Sequence, residues 1–146
     1  KLELSSEGGN DFAKSILTTD TKTKEIAVSV NIDGEQITIG GCAKGVGMIE
    51  PNMATMLAFI TTDATIEIET QNKLLKDSVN KTFNQISVDG DQSTNDTVLF
   101  FANGASNSEK IDPKNQNYLV FAEAFDYVCE KFSLENFEKK IIRIIG

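Results

Sequence analysis

The chain has 146 residues, 40% of them apolar and 25% charged, which is enough to bury one core of ordinary globular composition. A net charge of -8 speaks against a general nucleic-acid binder, which needs a basic face. Two cysteines and no histidine exclude a disulfide framework and any histidine triad or histidine metal site within the chain, and no metal is expected.

No apolar run reaches the length of a membrane span, and residues 1–7 hold no signal-peptide core, so the expected compartment is a reducing cytoplasm with no membrane partner. The chain begins without methionine and stops at an apolar Ile144-Ile145-Gly146, which suggests one domain cut from a longer precursor.

In chain order, residues 8–17 carry helical spacing, with Asn10 or Asp11 as the expected N-cap. Ile26 to Ile32 alternates and is β-branched, so it predicts a strand, and Asp33-Gly34 predicts a hairpin into Gln36 to Ile39. A glycine-rich loop should follow, Gly40-Gly41-Cys42-Ala43-Lys44-Gly45-Val46-Gly47, leading through Pro51 to Thr55. Met56 to Ile60 is continuously apolar, as for a strand buried on both faces. Glu69 to Phe83 then predicts an amphipathic helix with Leu74, Leu75, Val79 and Phe83 on one stripe. Ile86-Ser87-Val88 and the polar residues 89–96 precede a second apolar strand, Thr97 to Ala102. After turns around Asn103-Gly104 and Pro113, Tyr118 to Phe132 predicts a helix packing Phe121, Phe125 and Val128, and the tail continues helical. Strands and helices come in blocks, so the expected class is a layered α+β fold.

Three stretches could bear chemistry. Thr55 at a strand start is ordinary β-former placement, yet it follows a proline kink and a glycine-rich approach. If the Ala54–Thr55 bond were cut, the freed α-amine would lie beside its own hydroxyl. Nucleophile and general base then reside in one residue, with no histidine needed. Lys44 is either a solvated surface residue or a cation held for a carboxylate or phosphate; the spacing matches no P-loop. Asp89, Asp91 and Ser93 alternate as in a calcium loop but lack its glycine and its final glutamate, and a self-bonded polar turn fits better. Cys42 and Cys129 read as small buried hydrophobes.

The stretch from Lys44 through Glu50-Pro51-Asn52-Met53-Ala54-Thr55-Met56-Leu57 to Ala64 resembles the signature of the ornithine acetyltransferases, or glutamate N-acetyltransferases. Ile16 to Thr21 with Lys24-Glu25, Ile39-Gly40-Gly41, and Val88 to Thr97 match in order and spacing, so the resemblance runs over roughly residues 12–104. It implies the family's layered α/β arrangement, like N-terminal-nucleophile hydrolases in mechanism. It implies self-cleavage between Ala54 and Thr55, with residues 1–54 ending an α chain and 55–146 beginning a β chain of a heterotetramer. Thr55 is then the nucleophile, carrying acetyl from N-acetylornithine to glutamate in arginine biosynthesis. No cofactor is implied, although some members also take acetyl-CoA as substrate. Thr18, Lys44 and Thr55 fall at the substrate-binding positions.

The resemblance also has departures. The family usually has histidine where Glu50 stands, its members are much longer, and its oxyanion-hole threonine-glycine lies upstream of Lys1. Its later pocket glutamate, asparagine and hydroxyl find no match in this chain. A related self-processing aminopeptidase and a non-catalytic uncleaved remnant are the alternative readings.

Overall fold

In the computed structural model the described residues are 5, 7–18, 20, 22–45, 56–85 and 96–145, with residues 85 and 134–145 described as backbone only. Four strands form one sheet in the order β1-β2-β3-β4. β1 (Lys24–Ile32) and β2 (Glu35–Lys44) make an antiparallel hairpin, as Asp33-Gly34 predicts. Both turn residues have positive φ, 54° and 87°, the geometry that a two-residue hairpin with right-handed twist requires. β3 (Leu57–Thr62) runs antiparallel to β2. β4 (Thr97–Ala102) lies parallel to β3, and helix α2 (Ile68–Lys81) falls between them in the chain.

The sheet is covered on one face by α3 (Gln116–Ile145). Phe121, Phe125, Val128, Cys129 and Phe132 recur at spacings of four and three along α3, so they form one stripe, and each is at most 1% exposed. They meet Ile37, Ile39, Ala43, Ala58, Ile60 and Phe100, the alternate residues of β2, β3 and β4. Phe125 packs on Phe100 with ring centroids 4.5 Å apart. Among the described residues, the other face carries the short helix α1 (Gly8–Ser15), whose Phe12 stands edge-on to Phe59 at 4.9 Å. An α+β layered architecture is therefore what the structure has.

Four sequence expectations need correction. Neither Asn10 nor Asp11 caps α1. Both lie inside the helix, which begins after Glu7 with no side-chain cap, and the Asn10 amide instead donates to Glu25 Oε2 at 2.8 Å. The glycine-rich run is not a loop as far as Lys44, because β2 continues through Gly40-Gly41-Cys42-Ala43-Lys44. Gly41 is what permits that. A Cβ there would stand 2.4 Å from the Phe59 carbonyl oxygen and 3.2 Å from the Phe132 ring, so only glycine lets β2, β3 and α3 close up.

β3 is also not buried on both faces. Ala58, Ile60 and Thr62 are buried under the helices, whereas Leu57 and Phe59 are half-buried and Thr61 is exposed. β3 runs on through Thr61 and Thr62. Finally, Phe83 is not in α2 but on the short 3-10 turn Phe83–Gln85, still buried against the same core.

β4 and the core stripe of α3 stand where the sequence predicts. Residues 86–95, with the Ile86-Ser87-Val88 and calcium-like readings, lie outside the described residues.

Candidate functional site

β2 leaves the sheet and β3 enters it at the same end, since Lys44 pairs with Leu57 and Leu57 with Thr97. This end is one row of three strand termini, with residues 46–55 joining two of them in sequence. Thr55, Ala54, Pro51 and Glu50 fall in that stretch and lie outside the described residues. What can be built is the frame around them.

Lys44, the last residue of β2, alternates in phase with Cys42 and Gly40, so its side chain belongs to the face away from α3. Its Nζ approaches Thr18 Oγ1 at 3.4 Å. The structure thus brings together the cation and the hydroxyl that the resemblance placed at substrate-binding positions. A lysine ammonium has three donors, so contact with Thr18 leaves capacity for a carboxylate.

Gly45 follows, beyond the strand ladder, and each of its backbone groups is held by a side chain. Its N–H donates to Asp20 Oδ2 at 2.9 Å, and its carbonyl accepts from Lys24 Nζ at 2.7 Å. Lys24 itself is only 8% exposed. The φ of Gly45 is 140°, and a Cβ there would come within 3.0 Å of the Met56 Cα. The second oxygen of Asp20, Oδ1, is buried without a hydrogen-bond donor among the described residues.

Met56, which follows Thr55, is also held at both backbone groups. Its N–H donates to Asp96 Oδ1 at 2.8 Å, and its carbonyl accepts from the Thr97 N–H at 2.9 Å. Asp96 and Met56 further line a cleft of ≈ 370 Å³ beside α2, with Leu75, Val79, Phe83 and Val98.

Sequence reasoning did not give Asp20, Lys24 and Asp96 any role. Lys24 had a readable signal: it is in phase with Ile26, Val28, Val30 and Ile32, the inward positions of β1, which marks a buried cation. Asp20 and Asp96 had none, because their partners are 25 and 40 residues away.

The two thiols are chemically quiet. Burial pushes Cys129 up to about 12, with Asp126 adding to it. Burial and then Glu25, its neighbour across the β1–β2 ladder, raise Cys42. Neither is a nucleophile at neutral pH, since the thiolate is the reactive form. Among the described residues no group of three or more histidine, cysteine or acidic side chains is placed to hold a metal ion. No described helix is long and apolar enough to cross a membrane.

The class is thus an α+β chain whose sheet end gathers a lysine, a threonine hydroxyl and backbone tethers on both sides of residues 46–55. Residues 1–137 match the ArgJ family, and the chain belongs to that family. The match extends beyond the stretch that carries the resemblance. The arginine biosynthesis bifunctional protein ArgJ of Staphylococcus aureus strain Mu50 is 58% identical over 118 residues, covering 81% of this chain and 29% of that protein. The protein of the same description from Caldanaerobacter subterraneus is 50% identical over 127 residues, covering 87% of this chain and 32% of that protein. The crystal structure of the arginine biosynthesis bifunctional protein from Bacillus halodurans aligns with a TM-score of 0.52 at 40% identity, over 54% of this chain and 37% of that one. The chain spans about a third of the length of these curated relatives.

Proposed function

We infer that this chain is the part of a glutamate N-acetyltransferase that carries the nucleophile, Thr55, and part of its substrate pocket. The carrying observation is the approach of Lys44 Nζ to Thr18 Oγ1 at the strand end from which the chain runs on toward Thr55. A cation beside a neutral hydroxyl suits an amino-acid substrate, the ammonium taking the carboxylate through charge-assisted hydrogen bonds.

In this reading the chain breaks between Ala54 and Thr55. Residues 1–54 then end an α chain and residues 55–146 begin a β chain, two of each assembling as a heterotetramer in the cytoplasm. The Thr55 hydroxyl attacks the acetyl carbonyl of N-acetylornithine while the Thr55 α-amine accepts the hydroxyl proton. Collapse of the tetrahedral adduct breaks the C–N bond, the same proton goes to the leaving amine, and ornithine departs. The amine of glutamate then attacks acetyl-Thr55, its proton returns to the threonine oxygen through the α-amine, and N-acetylglutamate is released. Acetyl-CoA is a second acetyl donor to be tried in the same assay, and no cofactor enters the cycle.

Intact-mass measurement on the complete polypeptide tests this. The expected result is cleavage at Ala54–Thr55 and an acetylated β chain on adding N-acetylornithine, both lost in Thr55→Ala and partly kept in Thr55→Ser. An uncleaved, unacetylated wild type would sink the reading. Hydrolysis of the acyl-enzyme with no transfer to glutamate would instead make it an aminopeptidase-like amidohydrolase.

A further inference from the structure

We propose that Asp20 and Lys24 are positioning residues for this reaction, acting through Gly45 as a two-sided clamp. The proposal rests on the acetyl-transfer reading and concerns residues to which that reading assigns nothing.

The strand ladder ends at the Lys44–Leu57 pair, so among the described residues Gly45 has no sheet partner for its N–H or its carbonyl. A carboxylate takes the one and an ammonium supplies the other, at 2.9 and 2.7 Å. Both bonds are charge-assisted, stronger and more directional than the water contacts they replace. Such a device holds one residue against rotation about both its peptide planes.

Three pieces of the site hang on that residue. Lys44 is bonded directly to it, so fixing Gly45 fixes the base of the Lys44 side chain. Thr18 lies two residues before Asp20, so the same carboxylate draws the Thr18 hydroxyl to Lys44 Nζ. Gly45 also lies against Met56, close enough that an added Cβ would be 3.0 Å from its Cα, and Met56 is the residue after the nucleophile. The clamp therefore joins the substrate-carboxylate pair and the nucleophile's neighbour into one rigid unit. Burying a lysine ammonium at a strand end is costly. That cost is understandable where small displacements of reacting groups are expensive.

The test uses the complete polypeptide and is read per folded molecule, with folded protein counted by circular dichroism. In Asp20→Ala and Lys24→Met, cleavage at Ala54–Thr55 slows and KM for N-acetylornithine rises, each by roughly tenfold, since small misplacements cost one to two orders of magnitude. Asp20→Asn retains an acceptor oxygen and Lys24→Arg a cationic donor, and each recovers much of both quantities.

A purely structural role would lower the folded fraction or the melting temperature while leaving KM and the per-molecule cleavage rate at wild-type values; that result overturns the proposal. Should Lys24→Met not fold, Asp20→Ala against Asp20→Asn decides the question alone. A wild type that neither cleaves nor transfers overturns the acetyl-transfer reading, and this proposal with it. A wild type that does both, beside clamp variants indistinguishable from it, overturns only the clamp.

Discussion

The two faces of the sheet solve different problems. Under α3 the side chains of Ile37, Ile39, Ile60, Phe121 and Phe125 have no exposed surface, whereas on the opposite face Leu99 and Phe101 remain 40% and 53% exposed and Phe12 43%. That open face holds a depression of ≈ 660 Å³, whose walls include Phe12, Cys42, Phe59 and Phe101, and Lys44 lies at the strand end on the same side. The contrast teaches that stability and chemistry have been separated. The helix face supplies apolar burial, at about 25 cal/mol per Å² removed from water. The strand end presents polar groups, Lys44, Thr18 and the tethers of Gly45 and Met56, whose value lies in position.

Substitutions can break that contrast. The largest effect is expected from Phe125→Ala, which removes a fully buried ring from Phe100 and should cost about 3–5 kcal/mol in denaturant unfolding. A loss under 1 kcal/mol would mean that α3 is not the principal cover. Gly41→Ala comes next, at roughly 1–3 kcal/mol, because its methyl meets backbone rather than a yielding side chain.

Raising the pH should act on the helix face through Cys129. Its folded value is about 12 against an ordinary 9.0, so the folded state keeps its proton while the unfolded chain loses one. The contribution is intact below 9.0 and is lost as pH rises toward 12, by up to about 1.4 kcal/mol for each pH unit in that window. Urea midpoints for wild type and Cys129→Ala should converge as pH climbs through that range; parallel curves would contradict the burial of the thiol. The smallest effect is expected from Phe101→Ser, within about 0.5 kcal/mol in this chain because the ring is already half in water. A cost of several times that in the longer polypeptide would show this face covered there.

Much of the helix face was legible from periodicity. The stripe Phe121, Phe125, Val128 and the run Thr97 to Ala102 announce themselves, and Asp33-Gly34 names its own turn. Less was legible where a residue answers to a distant partner. Gly40-Gly41 read as loop because glycine is a poor strand former, and only Phe59 and Phe132 make Gly41 obligatory within β2. Met56 to Ile60 read as doubly buried because the run is uniformly apolar, but how much covers a strand's second face is not written in the strand. At the site, Thr18 was named only through the resemblance, while the residues alone left Lys44 between a solvated surface residue and a held cation. Their approach across 26 residues, and the grip of Asp20 and Lys24 on Gly45, required the fold.

By itself, then, the sequence determined the family, the hairpin, the core stripe of the long helix and the residue types available for chemistry. These rest on local spacing, turn chemistry and motif order, each of which acts within a few residues. The tertiary structure alone decided which face of the sheet is covered and which charges hold Gly45 and Met56. Those are meetings between segments far apart in the chain, and no local rule encodes them.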